Sequence, residues 1–500
     1  MNEDLDVLIV GAGISGIGAA YYLQRDCPER SYAIVEGRDA LGGTWDLFRY
    51  PGIRSDSDMH TLGYSFRPWK EEKAIADGPA ILRYLEETAA EYGIDEKIRF
   101  GHWVKAARWS SETARWTVTV ATKDRGDVLI RCRWLFMCSG YYDYETGYTP
   151  DFEGMADFRG RVVHPQKWPS DIDYQDKKVV VVGSGATAVT LVPAMARSGA
   201  AKVTMLQRSP SYVLSTPAED AVANGLRRVL PRRVAYALTK WKNVLLSILL
   251  YTLCQKLPRL ARKLLMGGVR KGTEGAVDVD THFNPHYEPW DQRLCLIPDG
   301  DFFEELKSGR ADVVTDRIAR FTETGVLLES GDTLDADLIV TATGLKLKFL
   351  GGVELEVDGK TPDPTEMYVY RGMMLSDVPN LSFAVGYTNA SWTLKVDLTC
   401  AAVTRLLNHM ATQGHDVAMA GREEGLEDTP LLDLSSGYVQ RALGELPKQA
   451  SRDPWQIHQN YLKDLITLKY SRVDDGTMLF SRARPLAAPK PQRPPLRASA

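Results

Sequence analysis

Two glycine-rich turns constrain the fold of this 500-residue chain more than any other feature. The first lies between an apolar, strand-like run at residues 7–10 and a helical stretch at 17–24. Its characteristic residues are Gly11, Gly13, Ser15 and Gly16. The next predicted strand, residues 32–35, ends in Glu36, whose carboxylate can accept hydrogen bonds from a ribose. Together these features predict a dinucleotide site in which the pyrophosphate binds at the helix N-terminus.

The pattern recurs in the middle of the chain, between an apolar run at residues 179–182 and a helix that extends to about Ala196. This second turn comprises Gly183, Ser184, Gly185, Ala186, Thr187 and Ala188. The strand after it, residues 203–206, ends in Gln207 and Arg208, where the first unit has an acid. An arginine can pair with a 2′-phosphate, whereas an acid accepts from a 2′-hydroxyl. The chain is therefore expected to bind FAD at the first turn and NADPH at the second.

These units predict an α/β fold with two Rossmann-like dinucleotide-binding domains, one for FAD and one for NADP. Strands expected near Val313, near Val326 and at 338–340 complete the second domain. The predicted boundaries are 1–145 for the first domain, 146–340 for the NADP domain with a helical insertion at about 212–275, and 341–484 for a C-terminal part. Residues 485–500, rich in proline, arginine and lysine, are predicted to be a disordered tail.

Composition excludes several other classes of protein. The 61 Lys and Arg nearly balance the 65 Asp and Glu, which argues against nucleic acid as a partner. Six widely spaced cysteines predict neither a disulfide scaffold nor a metal site, and they suit a reducing cytoplasm. We expect no signal peptide, because the charged start leads directly into the first strand. The longest apolar run, residues 244–254, is shorter than the ~20 residues of a membrane span.

Residues 221–273 differ from the rest of the chain, since they contain twelve Lys or Arg and no Asp or Glu. Such charge favours peripheral contact with anionic lipid. The alternative is a set of helices whose apolar faces pack on the NADP domain and whose basic faces meet acidic surface elsewhere. The sequence leaves both interpretations open.

Two motifs between the glycine turns resemble signatures of the Baeyer–Villiger flavin monooxygenases. One has the pattern F-x-G-x-x-x-H-x-x-x-W-P and comprises Phe158, Gly160, His164, Trp168 and Pro169. The other comprises Gly43, Trp45, Tyr50, Pro51, Gly52 and Asp56. Stretches at 42–58, 168–208, 289–296 and 386–394 are similar to the ethionamide-activating subgroup of that family.

The resemblance implies an enzyme that uses FAD, NADPH and O2 to insert one oxygen atom next to a ketone carbonyl, giving an ester or lactone. It also implies that residues 1–145 and 341–484 are the N-terminal and C-terminal parts of one FAD domain, with NADPH held by the middle of the chain. S-oxygenation of sulfides or thioamides is expected as a side reaction. Arg293 falls where the family keeps a cation beside the reacting oxygen atoms, and Asp56 where a carboxylate orients it. His164 and Trp168 fall on the interdomain linker, where the family histidine couples domain rotation to nicotinamide movement. The alternatives are a surface arginine, a loop aspartate, a structural histidine and a packing tryptophan.

Further contacts are implied residue by residue. The resemblance assigns FAD contacts to Thr44, Trp45, Asp46, Leu47, Arg54, Asp56 and Val104. Trp392 is placed either near the flavin and substrate or in the core. Gln292 stands where the family commonly has a lysine that binds the 2′-phosphate, so the preference for NADPH depends on Arg208.

Three other functions compete with this interpretation. A flavin-containing monooxygenase acting on nitrogen or sulfur shares both glycine turns but usually lacks the W-P ending. A flavin disulfide reductase would need a close cysteine pair after the first unit, and no cysteine lies between Cys27 and Cys132. A peripheral membrane-associated scaffold with a vestigial site is the candidate from another class, and it is argued from the basic segment.

Overall fold

The strand before the first glycine turn lies in the centre of a large sheet. The computed structural model describes residues 3–483, so the predicted tail lies outside the described residues. Within that range eight strands form this sheet, which we call the N-terminal sheet. Seven follow one another in the order Glu354–Val357, His102–Ser110, Arg115–Thr122, Gly126–Met137, Glu3–Val10, Tyr32–Val35 and Ile98–Arg99, and Leu381–Phe383 also pairs with Gly126–Met137. Strands from both ends of the chain therefore build one sheet.

Alternation of side chains explains why Glu3–Val10 is apolar on both faces. Val7 and Ile9 pack against one hydrophobic core, whereas Leu8 and Val10 pack against another on the opposite side. The first of these cores includes the helices Ile14–Asp26 and Trp392–Gln413. Because the strand is covered on both faces at residues 7–10, all four of those side chains are buried, which the continuous apolar run predicts.

The second glycine turn belongs to a separate sheet, which we call the middle sheet. Its five parallel strands follow the order Ala311–Thr315, Lys202–Gln207, Lys178–Val182, Leu338–Thr341 and Arg161–Val163. The helix Ala186–Arg197 packs on it. Together the two sheets confirm the predicted α/β fold. The first helix begins at Ile14, earlier than predicted, because Gly13 is its N-cap.

Smaller elements surround the two sheets. The remaining strands are Val213–Thr216 with Cys295–Pro298, Ile318–Thr322 with Gly325–Leu328 and Thr333–Asp335, Val369–Tyr370 with Met374–Leu375, Val417–Ala420 with Met478–Ser481, and Asp428–Pro430 with Lys448–Ala450. The shorter helices are Thr44–Leu47, Met59–Leu62, Gly78–Glu91, Val279–His282, Asp301–Lys307, Gly437–Ala442 and Tyr461–Asp464, the last continued by the π-helix Leu465–Tyr470.

The basic segment folds as three helices, Ala221–Val229, Arg232–Lys256 and Pro258–Thr273. We refer to them as the basic helices. No single helix among the described residues is both long enough and apolar enough to cross a membrane. The second and third basic helices meet those criteria only as a pair, and they are bent by 115° at the break between them.

Candidate active site

A deep cleft runs between the two sheets and is lined by residues from all three parts of the chain. The predicted site residues in its wall are Gly11, Gly13, Ser15, Glu36, Thr44, Trp45, Arg54, Asp56, Val104, His164, Ala186, Thr187 and Arg293. Trp392 also lines the cleft. The structure therefore brings the first glycine turn, His164 and the Arg293–Asp56 region to one cavity, and the second glycine turn reaches it through Ala186 and Thr187.

The first glycine turn leaves a space that fits the pyrophosphate of a dinucleotide. An added Cβ on Gly11 would lie 2.6 Å from the carbonyl oxygen of Cys138, and one on Gly16 would lie 1.9 Å from that of Gly11. Because these two positions carry no Cβ, the turn can pack closely against the neighbouring backbone. By contrast, a Cβ on Gly13 would approach only Gly43, at 3.6 Å, so Gly13 faces the cleft. The N-terminus of helix Ile14–Asp26 thus opens onto the cavity, as an anion-binding turn requires.

The second turn repeats this arrangement. Gly183 has φ +139°, and an added Cβ would lie 2.3 Å from the carbonyl oxygen of Ala342. Nothing lies within 4 Å of a Cβ added to Gly185, so the middle position is open. Ala186 and Thr187, at the start of the next helix, line the cleft. Ser184 donates or accepts a 2.9 Å hydrogen bond with Ser211, and Ala188 is buried in the core beneath.

Glu36 is placed to bind the ribose of the first nucleotide. It is only 6% exposed, and its carboxylate accepts N–H donors from Ala12 at 2.8 Å and Arg38 at 2.9 Å. Burial raises the pKa of Glu36, while the two N–H donors and the Arg38 charge oppose that rise. Each carboxylate oxygen keeps a second lone pair for a ribose hydroxyl. Val104 lies beyond it along the same wall, at the end where an adenine would fit.

Arg293 and Asp56 form an ion pair in the wall of the cleft, with Nη2 and Oδ2 2.9 Å apart. The Asp56 carboxylate raises the pKa of Arg293 above its ordinary value, although burial opposes that effect. The guanidinium is about one-third exposed, so it can reach a molecule bound in the cavity. Arg293 is therefore a cation whose orientation is set by one carboxylate.

Aromatic side chains complete the wall near this pair. Trp392 donates an Nε1–H hydrogen bond to Ser15 Oγ at 2.9 Å and stacks on Tyr141, with ring centroids 5.1 Å apart. Tyr141 and Tyr142 share a 2.9 Å hydrogen bond between their hydroxyls. Burial raises the pKa of both phenols, so both remain protonated near neutral pH. Trp392 therefore joins the first glycine turn to the C-terminal part of the chain.

His164 lies between the two chain segments that connect the sheets. Its Nδ1 accepts the N–H of Gln166 at 3.2 Å, so Nε2 carries the proton and donates to the carbonyl of Gly344 at 3.1 Å. Burial lowers the pKa of His164 from its ordinary value of 6.5, which keeps the ring neutral. The ring also fills the space beside Gly147, where a Cβ would lie 2.0 Å from Cε1. Trp168 is half-buried and packs against the middle-sheet core outside the cleft wall.

Several predicted cofactor contacts have another role in the structure. The Asp46 carboxylate is buried and pairs with Arg38 and Arg49, and Leu47 packs against the middle-sheet core. The Gln207 side chain is buried and donates to the carbonyl of His282 at 2.7 Å and to Thr315 Oγ1 at 2.8 Å. These three side chains already contact protein, so the predicted cofactor contacts at these positions would be made by backbone atoms and stay predictions.

Arg54 and Arg208 differ in what they contact. Arg54 lines the cleft and forms an ion pair with Asp301. Arg208 is exposed at the end of strand Lys202–Gln207 and forms no ion pair among the described residues. Its charge is therefore available to a ligand of the middle sheet.

The tyrosines of the cleft wall were not predicted from the sequence. Tyr141, Tyr142 and Tyr144 all line the cavity, and the Tyr144 hydroxyl lies 3.4 Å from Thr44 Oγ1. The available signal was an aromatic-rich stretch directly after the apolar run at residues 134–138, because ligands bind beyond the carboxyl ends of parallel strands.

Two sheets of the dinucleotide-binding type share one cleft, and an arginine paired with an aspartate lies in its wall. These features are those of an FAD-containing, NADP-binding monooxygenase. The chain belongs to the flavin-binding monooxygenase-like family, whose model matches residues 6–256. It is 53% identical over 483 residues to the FAD-containing monooxygenase EthA of Mycobacterium tuberculosis, covering 96% of this chain and 99% of EthA. It is 48% identical over 484 residues to the probable FAD-binding monooxygenase AlmA of Acinetobacter baylyi, covering 96% of this chain and 97% of AlmA.

Solved structures agree with this assignment. An oxidised steroid monooxygenase bound to NADP superimposes with a TM-score of 0.67 at 25% identity, covering 83% of this chain and 88% of that one. A cyclohexanone monooxygenase with bound ε-caprolactone gives a TM-score of 0.74 at 17% identity, covering 96% of this chain and 100% of that one. The second likeness shows the fold alone.

Proposed function

We propose that this protein catalyses Baeyer–Villiger oxidation of a ketone. One O2, one NADPH and one proton are consumed for each ketone. One oxygen atom enters between the carbonyl carbon and a neighbouring carbon, and the other leaves as water. The product is an ester, or a lactone where the ketone is cyclic. The observation that carries the proposal is the Arg293–Asp56 ion pair in the wall of the cleft shared by the two sheets.

Arg293 suits this reaction because oxygen attack on a carbonyl carbon develops negative charge on the carbonyl oxygen. A cation held in place before the reaction stabilises that charge without reorganising during it. Asp56 fixes the guanidinium and keeps it protonated. FAD, reduced by NADPH, would supply the electrons that activate O2 when it is bound in the cleft.

The cleft can also hold the substrate and exclude water. Tyr141, Tyr142 and Trp392 give an apolar wall with hydroxyl groups that remain protonated. Their position next to Arg293 leaves the cation facing a mainly aromatic surface. Such surroundings strengthen an electrostatic interaction relative to water.

Oxygenation of sulfur is a second candidate activity. The 53% identity to EthA over nearly the full length of the chain favours it, together with the resemblance to the ethionamide-activating subgroup. A sulfide or thioamide has no carbonyl oxygen on which negative charge must develop. Its oxygenation should therefore depend less on Arg293 than ketone oxygenation does.

The two activities are separated by mass spectrometry of products formed with NADPH and isotopically labelled O2. Linear, cyclic and aryl ketones, sulfides and thioamides should be compared at equal enzyme concentration. The proposal requires an ester or lactone carrying one labelled oxygen atom from at least one ketone. Formation of labelled sulfoxides without ester from any ketone would reject Baeyer–Villiger oxidation and leave the sulfur activity.

A further inference from the structure

The longest basic helix presents an apolar face to solvent. Six of its large apolar residues are exposed, Leu246 among them. The other five, Val234, Leu238, Trp241, Leu245 and Leu249, are 41–64% exposed. They follow one another at intervals of three or four residues, so they lie along one side of Arg232–Lys256. We call this row the outer stripe.

The inward side of the same helix is buried and of mixed polarity, since Ala235, Val244 and Cys254 lie there beside Thr239 and Asn243. Thr239 and Asn243 are both less than one-tenth exposed, and the Asn243 amide donates to Asp58 at 2.8 Å. Lys240 Nζ donates to Ser65 Oγ at 2.6 Å. A surface helix of a globular protein normally turns its apolar face inward. Here apolar residues lie on both sides of the helix, and the contacts of the inward side keep the outer stripe at the surface.

Neighbouring elements extend the apolar surface. Leu257, Leu260 and Leu264 are 45–58% exposed at and beyond the bend into the third basic helix. Eleven of the eighteen exposed large apolar side chains among the described residues lie in the basic helices and the link between the second and third. A concentration of this kind marks a contact surface, since single exposed apolar residues are normally scattered.

Positive charge surrounds this surface. The exposed basic residues without an ion pair among the described residues are Arg228, Arg232, Arg233, Lys256, Arg259, Lys263 and Lys271. Only Lys242 and Arg270 of the segment pair with acids, namely Asp220 and Asp280. The basic faces therefore do not meet an acidic surface elsewhere on the described protein.

We propose that the outer stripe and these seven cations bind this protein to an anionic lipid bilayer, with the basic helices lying in the interface. Leucine and tryptophan side chains suit the boundary between headgroups and acyl chains, and the cations suit anionic headgroups. A second copy of the chain fits less well, because a two-fold contact would bring the same cations together. The proposal does not depend on which substrate is oxygenated.

Flotation of the full-length holoenzyme with lipid vesicles tests the proposal. Vesicles of phosphatidylcholine alone should be compared with vesicles that also contain phosphatidylglycerol, at low and high salt. One variant combines Trp241→Ser, Leu245→Ser and Leu249→Ser. Another combines Arg232→Gln, Arg233→Gln, Arg259→Gln and Lys263→Gln. The matched control is Leu129→Ser with Leu479→Ser, because these residues are similarly exposed on other faces.

We expect the wild type and the control to float with anionic vesicles and to bind neutral vesicles poorly. Each charge removed near the surface should lower partitioning by about fivefold, and salt should weaken binding. The serine variant should lose binding at unchanged FAD content, which shows that its fold is intact. Equal flotation of the wild type and the serine variant would overturn the proposal. So would vesicle-independent dimerisation that the serine variant abolishes, since it would assign the stripe to a second copy.

Discussion

At the scale of single residues, the proposed reaction depends most on the positive charge of Arg293 and on the Asp56 carboxylate that orients it. Arg293 and Asp56 are far apart in sequence, yet their side chains meet at 2.9 Å in the cleft. Neither side chain has another ion-pair partner among the described residues. Substitution of the arginine therefore removes one electrostatic interaction without breaking a larger network.

We predict that Arg293→Ala keeps its FAD but loses most ketone oxygenation. Loss of a preorganised charge beside a developing anion costs ~3–4 kcal/mol, which lowers kcat by roughly 10²- to 10³-fold. Steady-state ester formation and FAD content measure the two effects. Arg452→Ala is the control, because Arg452 is an exposed arginine paired with Glu423 away from the cleft. Near-normal ester formation by Arg293→Ala would remove this residue from the reaction.

Arg208 should be the main determinant of NADPH over NADH. A charge-assisted hydrogen bond to the 2′-phosphate contributes ~1.5–3 kcal/mol, so Arg208→Ala should weaken NADPH roughly 10- to 150-fold. The KM for NADH should hardly change. Lys202→Ala, at the other end of the same strand, is the control. Equal increases in KM for both coenzymes would mean that another residue recognises the phosphate.

The sequence predicted the residues of this site unevenly. Gly11, Gly16 and Glu36 follow from local patterns, because strand, turn and helix are adjacent along the chain. Arg293 and Asp56 could be assigned only by resemblance, since their pairing depends on how distant loops meet. Gln207 shows what a local pattern leaves out: its position at a strand end suggests a ligand contact, but its side-chain amide donates to His282 and Thr315.

At the scale of elements, His164 joins two connections between the sheets. Its neutral ring accepts from Gln166 and donates to Gly344, and a protonated ring could not accept that N–H. The linker geometry therefore depends on the charge of one histidine. We propose that this contact couples domain movement to nicotinamide position, with Trp168 supporting it from the middle-sheet core.

Replacement of His164 by Asn should lower ester formation more than FAD affinity and should leave more NADPH consumed without product. It should also change the pH dependence of stability. Because the folded pKa lies below 6.5, the unfolded chain takes up the proton first as the pH falls. The free energy of unfolding should therefore decline below about pH 6.5 less steeply in the variant than in the wild type. Urea unfolding across that range checks this, and identical slopes would contradict it.

A buried ion pair joins the helix Trp392–Gln413 to the helix Tyr461–Asp464. Lys395 and Asp464 are each 3% exposed and lie 2.7 Å apart, and the Tyr387 hydroxyl donates to the same carboxylate at 2.6 Å. Burial lowers the pKa of Lys395, whereas Asp464 opposes that effect. Removal of one charge would leave the other unpaired in the core.

Lys395→Met should therefore lower the free energy of unfolding by about 3–5 kcal/mol. The double variant Lys395→Met with Asp464→Leu should recover much of that loss, since it leaves no unpaired charge. Lys105→Met is the control, because Lys105 and Asp127 form a half-exposed pair worth about 0–1 kcal/mol. Denaturant unfolding measures all three. Equal stability of the single and double variants would contradict this explanation.

The basic helices show why element orientation was harder to predict than element type. Their composition predicted helices over 221–273, and the three helices cover that range with short breaks. The three- and four-residue spacing identifies an apolar stripe, but spacing alone does not say whether it faces the core. Long-range contacts such as Asn243 to Asp58 decide that, and a single sequence does not reveal them.

At the scale of the whole molecule, the family resemblance implied a site built from three parts of the chain. The N-terminal sheet takes strands from both ends of the chain, and the middle sheet is inserted between them. The chain therefore crosses twice between the sheets, next to the cleft. NADPH bound on one sheet and FAD on the other would meet at this boundary, where Arg293 lies.

The most direct test of the proposed Baeyer–Villiger oxidation uses the wild-type holoenzyme and a ketone that it accepts. It measures the amount of ester formed for each NADPH consumed. We predict ester and oxidised NADPH in nearly equal molar amounts, with one atom of labelled O2 in each ester. Addition of the ketone should also accelerate NADPH consumption. Consumption of NADPH without ester across linear, cyclic and aryl ketones, while a sulfide is oxygenated mole for mole, would contradict the account.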